Sequence, residues 1–173
     1  MSSLRTAVSS NDHMQGKATA SIELVEYGDY QCPHCGHAYP IVKRIQKKMG
    51  GSLQFVFRNF PLAESHPNAV HAAIASEAAG LQHKFWEMHD HLFEYQSRLD
   101  DESLVKYAAR LTLDVEQFED DFARPELMQK VDADFESGVR SGVNGTPSFF
   151  INGEKYNGSW DEETLLSYLQ AML

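Results

Sequence analysis

The sequence predicts an α/β fold in which a central mixed sheet is flanked by helices and interrupted by an all-helical insertion. Three observations predict it. Two short apolar runs typical of strands, residues 22–27 and 53–57, are separated by a stretch with helical spacing. From residue 61 to about residue 140 the apolar spacing is helical throughout. A last strand-like segment, residues 148–156, then precedes one more helix.

The first strand follows a polar segment. Residues 1–20 are rich in Ser, Ala and Thr and show no clear period, so we interpret them as an arm. The apolar run that begins at Ile22 ends at Tyr27, just before Gly28 and Asp29. A short apolar run that stops at turn-forming residues is typical of a buried strand.

The first helix is expected to begin at Pro33, because a proline at the first helical position loses no helical hydrogen bond. Pro40 lies inside this helix and is expected to kink it or break it locally. Gly50 and Gly51 should end it. Apolar residues keep helical spacing up to that point, at Ile41, Val42, Ile45 and Met49.

The second strand and the final elements complete the predicted sheet. Apolar residues alternate from Leu53 to Phe57, and a helix that crosses over between two strands makes them parallel. Asn152-Gly153 is a strong hairpin signal after the strand that begins at Ser148. The predicted sheet domain therefore comprises residues 1–60 and 141–173, and residues 61–140 form the helical insertion.

Polar residues predict where several helices begin. Asp100 or Asp101 should start one helix of the insertion, and Asp161 should cap the last helix of the chain. Asp114 with Gln117 resembles a capping box, in which each residue would bond to the backbone of the other.

Composition excludes some classes of partner. The 173 residues carry a net charge of −10, which repels phosphate backbones, so we expect no nucleic-acid partner. The sequence has no basic stripe that would suit a membrane surface, and no run of the about 18 apolar residues that a membrane span needs. The first residues lack the apolar core of a secretory signal, so a cytoplasmic location is expected. A periplasmic location would be expected if a leader had been removed.

The chemistry of the chain is predicted from its two cysteines, Cys32 and Cys35, with Pro33 and His34 between them. They stand where a strand ends and a helix begins, and unpaired N–H groups at a helix N-terminus stabilise a thiolate. His34 can donate a hydrogen bond or a positive charge. Cys32, at the helix end, is expected to be the attacking sulfur, and Cys35, one turn further, should resolve the mixed disulfide.

Two other interpretations of the cysteines are weaker. A static disulfide that closes so small a loop would restrain little chain entropy. A zinc site could use Cys32, Cys35 and His37, with His34 nearby, but a structural site needs four ligands and the sequence has no second cysteine pair. We therefore expect no metal. The remaining histidines are interpreted as surface or satisfied core residues.

Two segments, ELVEYGDYQCPHCGHAY at 23–39 and GVNGTPSFFINGEKYNG at 142–158, resemble the DsbA-like branch of the thioredoxin superfamily. FWEMHD at 85–90 resembles it as well, and the likeness extends over about residues 12–173. The start at residues 12–16 resembles a cytoplasmic-looking branch that includes domains fused to sodium–proton antiporters. The resemblance implies a thioredoxin fold, and the CPHC sequence is that of the oxidising DsbA type.

The resemblance also implies three residue roles. Pro147 matches the cis-proline that faces the active cysteines, and Thr146 matches the position that tunes the thiolate and offers backbone groups to substrate. Glu26 matches a buried carboxylate that assists proton transfer to or from the inner cysteine. From the residues alone, an ordinary residue on the strand surface stays open as the less favoured alternative for Glu26.

Together these observations predict a thiol–disulfide oxidoreductase that works through a mixed disulfide with protein or small-molecule thiols. The Cys32–Cys35 disulfide would need no further cofactor, and a redox partner of unknown identity would restore it. One alternative is a glutathione-dependent transferase or isomerase of the kappa type, although those enzymes usually lack the second cysteine. The other alternative is a non-catalytic module that binds peptides in the groove near Cys32.

Overall fold

The computed structural model describes residues 2–173 and contains one five-stranded mixed sheet. The strands are β1 (His13–Gln15), β2 (Ile22–Gly28), β3 (Leu53–Asn59), β4 (Ser148–Ile151) and β5 (Glu154–Tyr156). Their order across the sheet is β1-β3-β2-β4-β5. The pair β2 and β3 is parallel, as expected for strands joined by a crossover helix, and the other pairs are antiparallel. The predicted fold class is confirmed.

Seven α-helices surround the sheet in residues 2–173. They are α1 (Pro33–Met49), α2 (Ala69–Leu81), α3 (Phe85–Glu94), α4 (Asp101–Arg110), α5 (Val115–Phe122), α6 (Pro125–Arg140) and α7 (Glu162–Gln170). Helices α2 to α6 lie between β3 and β4, in the stretch expected to be wholly helical. One buried cluster joins the sheet to these helices, and the division into two domains stays a prediction.

Alternation along β2 decides which side chains face the cysteines. Ile22 and Leu24 belong to the large cluster that also contains Cys32 and Cys35, whereas Val25 and Tyr27 belong to the smaller cluster on the other face. Successive side chains of a strand point to opposite faces, so Glu26 lies on the same face as Leu24. The strand therefore directs a carboxyl group into the layer that holds the cysteines.

The interpretation of residues 1–20 as an arm needs correction, because parts of residues 2–20 join the sheet. Residue 1 lies outside the described residues. Residues 13–15 form β1, paired with β3, and Leu4 N donates to Gly153 O at 2.7 Å. The physical reason is Arg58, whose side chain is only 2% exposed and must be paired. It donates to both carboxylate oxygens of Asp12, at 2.8 and 3.0 Å, and to the Thr6 carbonyl at 2.9 Å.

The expected break at Pro40 is absent, since α1 continues through it from Pro33 to Met49. A proline removes one helical hydrogen bond, and burial on both sides of it holds the helix together. Residues before and after Pro40 are buried against the sheet, including Ala38, Ile41, Val42 and Ile45.

The predicted helix starts are confirmed at three aspartates. Asp100, Asp114 and Asp161 each accept a hydrogen bond from the backbone N–H three residues later. The reciprocal half of the capping box at Asp114 does not form, because Gln82 Oε1 accepts from Asp114 N at 2.9 Å instead. No helix in residues 2–173 is long and apolar enough to cross a membrane.

Candidate active site

The two cysteines sit at the start of α1, which begins where the turn after β2 ends. Cys32 is the N-cap residue, with φ −69° and ψ 123°, and Cys35 lies in the first helical turn. Both are free thiols. Cys32 is 4% exposed and Cys35 is fully buried, so only Cys32 reaches the surface.

The pKa of Cys32 is lowered from 9.0 to about 5. The largest cause is a hydrogen bond from the Cys35 thiol, and further bonds come from Thr146 and from the backbone N–H groups of His34 and Cys35. Burial acts in the opposite direction. The backbone donors are the free amides of the helix N-terminus, which favour an anion at this position.

The pKa of Cys35 shifts in the opposite direction, well above its ordinary value of 9.0. Burial is the main cause, and the hydrogen bond to Cys32 and the negative charge of Glu26 add to it. The backbone N–H of Asp29 donates to Cys35 Sγ at 3.5 Å. The two sulfurs therefore differ strongly in acidity although they are one helical turn apart.

Glu26 lies behind this pair. It is 3% exposed, and burial raises the pKa of its carboxyl group from 4.5 to about 8, with a smaller contribution from the charge of Cys32. A carboxyl group with such a pKa can hold or release a proton near neutral pH. Its influence on the pKa of Cys35 places it in electrostatic reach of the inner thiol.

The loop before β4 faces the outer sulfur. Cys32 Sγ lies 3.7 Å from the carbonyl oxygen of Thr146, and the peptide bond between Thr146 and Pro147 is cis. The Thr146 hydroxyl oxygen is buried and has no hydrogen-bond partner, and its proximity helps to lower the pKa of Cys32, so its proton is available to the thiolate. Backbone from the loop before β4 and the Cys32 side chain at the start of α1 thus meet at one point.

Pro33, His34 and His37 lie on the exposed side of this helix end. His34 acts on Cys32 through its backbone N–H. The His37 ring instead contacts Trp160 edge-on, with 5.7 Å between ring centroids. Among the described residues no three or more His, Cys, Asp or Glu side chains are grouped to hold a metal ion, so the ligand set of the zinc interpretation is not assembled.

An open groove runs beside the loop that carries Thr146. Its volume is 350 Å³, and it is lined by residues 144–149, by residues 155–158 and by Trp160. A larger cavity of 480 Å³ lies between the N-terminal segment, β3 and α6 and contains none of these residues. Unlike the larger cavity, the groove is lined by Thr146, whose carbonyl oxygen lies 3.7 Å from Cys32 Sγ.

Sequence reasoning missed Asp29, which it used only to mark the end of β2. Asp29 is 1% exposed, and its Oδ1 accepts from the backbone N–H groups of Gln31 at 2.7 Å and Cys32 at 3.2 Å. Its Oδ2 accepts from Leu62 N at 2.9 Å and is hydrogen-bonded to His66 Nδ1 at 2.8 Å. An aspartate at the end of a strand often bonds the backbone N–H two residues later, and this local turn signal could have indicated the role.

Comparison with known proteins places these features in context. A family model described as thioredoxin matches residues 8–171. A protein named Na(+)/H(+) antiporter NhaA 1 from Mycolicibacterium vanbaalenii is 39% identical over 170 residues, which are 97% of this chain and 28% of that protein. Its namesake from Salinispora arenicola is 41% identical over 154 residues, 89% of this chain and 24% of that protein. The chain thus spans about a quarter of the length of these curated relatives.

Solved structures share the fold. A thioredoxin-like oxidoreductase from Silicibacter pomeroyi superimposes with a TM-score of 0.84 at 24% identity, covering 95% of this chain and 93% of the other. The thiol-disulfide exchange protein alpha-DsbA2 from Wolbachia pipientis gives 0.84 at 20% identity, with 95% and 88% covered. Oxidised BdbD from Bacillus subtilis gives 0.80 at 24% identity, with 93% and 92% covered. The DsbA-like architecture expected from the sequence is confirmed by these similarities.

Proposed function

We propose that this chain, which belongs to the thioredoxin family, is a thiol–disulfide oxidoreductase that exchanges a Cys32–Cys35 disulfide with the thiols of its substrates. The observation that carries the proposal is the opposite displacement of the two cysteine pKa values, with Cys32 lowered to about 5 and Cys35 raised well above 9.0. Disulfide exchange uses this difference, because one sulfur must be a stable thiolate and the other must stay protonated until needed.

The first step begins from the oxidised protein. A substrate thiolate attacks Cys32 Sγ, a substrate–Cys32 disulfide forms, and the Cys32–Cys35 bond breaks. Cys35 leaves with the electron pair and takes up a proton, since its pKa lies far above neutral. Glu26 is the proposed proton donor, because a carboxyl group with a pKa of about 8 is largely protonated at neutral pH.

The second step releases the substrate. A second substrate thiolate attacks the substrate sulfur of the mixed disulfide, and Cys32 leaves as a thiolate. Its low pKa makes it a good leaving group, which favours oxidation of the substrate. Overall the substrate loses two electrons and two protons. The protein gains both electrons and ends as the Cys32 thiolate and the Cys35 thiol, so one proton stays on Cys35 and the other passes to the solvent. The reverse sequence reduces a substrate disulfide through the same intermediate.

The groove beside Thr146 supplies the proposed substrate site. Its loop presents the Thr146 and Pro147 backbone next to Cys32, where an extended peptide or a small thiol could lie against it. The proposed partners are therefore protein or small-molecule thiols, together with a disulfide of higher reduction potential that restores the oxidised form. The proposed chemistry needs no cofactor besides the two sulfurs. A cytoplasmic location stays the expectation from the sequence.

Cys32 should be alkylated selectively when the reduced protein is treated with iodoacetamide at pH 6. A thiol with a pKa of about 5 is about 90% ionised at that pH, whereas Cys35 is protonated. Peptide mapping after a short reaction should find the label on Cys32. The Cys32→Ser variant is the matched control and should take up almost none. Preferential labelling of Cys35 would refute the assignment.

Cys35→Ser should trap substrates as stable mixed disulfides, because the sulfur that would resolve them is missing. Mixing this variant with model peptides that contain a disulfide should give adducts on Cys32, because its thiolate attacks the peptide disulfide and displaces one peptide sulfur as a thiolate. A reductant should release these adducts. Cys32→Ser should give none under the same conditions. Activity in glutathione conjugation to an aromatic electrophile, without dithiol oxidation or insulin reduction, would instead support the glutathione transferase alternative.

A further inference from the structure

A glutamine from the helical insertion contacts the backbone of the cysteine motif. Gln96 lies in the connection between α3 and α4, and its Nε2 donates to Tyr30 O at 2.9 Å and to Cys32 O at 2.8 Å. Two carbonyl oxygens need a donor, so this pair of contacts settles the orientation of the amide group. A single side chain, 64 residues further along the chain, thus binds the peptide that carries the reactive sulfur.

The Cys32 residue is consequently held on both sides. Its N–H donates to Asp29 Oδ1 at 3.2 Å, and its carbonyl accepts from Gln96 and, at 3.0 Å, from Gly36 N. These bonds hold Cys32 in its N-cap conformation, from which the free N–H groups of His34 and Cys35 point at the sulfur. Without Gln96 the carbonyl would keep only the bond from Gly36 N, and the cap would be held less firmly at the helix end.

Gly36 makes room for this contact. A Cβ atom built on Gly36 would overlap Gln96 Oε1, the far oxygen of the same amide group. Glycine in a helix weakens it relative to alanine. A glycine at this position is therefore explained by the need to seat the amide of Gln96 against the first turn of α1.

We propose that Gln96 is a positioning residue by which the helical insertion sets the reactivity of the Cys32 thiolate. The proposal rests on the proposed function and deepens it. Gln96 does not touch the sulfur. It acts through the Cys32 peptide, whose position decides how well the amides at the start of α1 solvate the thiolate. Without Gln96 the thiolate loses part of that solvation and is protonated more easily.

The test compares the pH profile of Cys32 alkylation in wild type, Gln96→Ala and Gln96→Glu. We expect the rate at pH 5 to fall by roughly two- to fivefold in Gln96→Ala, and the rate above pH 9 to stay unchanged, because only the ionised fraction alters. Gln96→Glu should fall further at pH 5, since a carboxylate cannot donate to the two carbonyls and adds a negative charge near the thiolate. A merely structural role would not move this profile.

Gln82→Ala is the matched control for this change. Gln82 also lies in the insertion and bonds a backbone N–H and a carbonyl of Asp114, at 2.9 and 3.0 Å, but none of its hydrogen bonds involves the cysteine motif. It should lower the melting temperature without shifting the alkylation profile. A shift as large as that of Gln96→Ala would overturn the proposal.

Gly36→Ala tests the same contact from the other side. The added methyl group should displace the amide of Gln96 and lower the alkylation rate at pH 5 as Gln96→Ala does. In the Gln96→Ala background, where the space is empty, it should cause no further change. If Gln96→Ala and Gln96→Glu both show the same pH profile of Cys32 alkylation as the wild type, the positioning role is refuted and the proposed function stays intact. An ordinary Cys32 pKa in the wild type would instead refute the proposed function.

Discussion

The stability gap between the reduced and the oxidised protein should widen in favour of the reduced form as pH rises from 5 to 7. The pKa of Cys32 falls from 9.0 in the unfolded chain to about 5 in the fold. The thiolate therefore stabilises the reduced fold fully above pH 9, and that stabilisation is lost as pH falls through about 5. The oxidised protein has no Cys32 thiolate, so the difference in stability between the two forms reports the contribution of that thiolate.

The expected size is large for a single group. Over the two pH units the reduced form should gain about 2 kcal/mol relative to the oxidised form. For a chain of this length that corresponds to a change of roughly 4–8 °C in the difference between melting temperatures. Thermal unfolding followed by circular dichroism at pH 5, 6 and 7, with and without a reductant, measures it.

Cys32→Ser provides the control, because it removes the thiolate and keeps the rest of the site. The stability of this variant should lack the contribution of the Cys32 thiolate, which in the reduced wild type increases as the pH rises. A gap between the reduced and oxidised forms that stays constant from pH 5 to pH 7 would contradict a lowered Cys32 pKa. It would also remove the main support for the leaving-group role of this sulfur.

Local patterns were sufficient to predict most of the fold. Apolar runs at Ile22–Tyr27 and Leu53–Phe57, and the turn signal at Asn152, identify β2, β3 and the final hairpin, and all three form. The N-terminal segment was missed because its place in the sheet depends on the buried charge of Arg58 rather than on apolar spacing. Short polar edge strands of this kind carry no periodic signal.

The residues of the site also divide into those that a local sequence pattern predicts and those that it does not. Cys32 and Cys35 are visible as a motif, because the chemistry needs those two residue types at that spacing. Asp29 and Gln96 act through backbone groups, and a hydrogen bond from Gln96 to a carbonyl 64 residues earlier leaves no trace in spacing or composition. His89 illustrates the opposite case. It was assigned no function, and it is a buried residue whose Nδ1 is hydrogen-bonded to the Tyr30 hydroxyl at 3.0 Å.

Glu26→Gln should make the protein more stable at pH 7 and a slower catalyst. Burial raises the pKa of Glu26 from 4.5 to about 8, so the folded protein prefers the protonated carboxyl group. This preference contributes its full stabilisation only below pH 4.5, where the unfolded chain is protonated as well. The stabilisation is lost as pH rises through about 8. At pH 7 the unfolded carboxylate must take up a proton to fold, which costs about 3 kcal/mol.

Glutamine has the same shape and no charge, so the variant avoids this cost. Urea unfolding of the reduced protein should show a gain approaching about 3 kcal/mol at pH 7 and almost none at pH 4, where Glu26 is protonated in both states. The gain should be smaller in the oxidised protein, which lacks the Cys32 charge that adds to the raised pKa. Glu23→Gln is the matched control, since Glu23 lies on the same strand, on the opposite face, and is partly exposed. It should change stability far less.

The loss of rate follows from the same carboxyl group. Cys35 has a pKa well above 9.0 and needs a proton acceptor when it attacks the mixed disulfide and a donor when it leaves. Removing a positioned acid–base group lowers a rate by roughly 10²-fold or more. Stopped-flow measurement of mixed-disulfide resolution in Glu26→Gln, against wild type and Glu23→Gln, should show this loss near neutral pH. A more stable variant with an unchanged rate would show that Glu26 is buried at a cost in stability without serving Cys35.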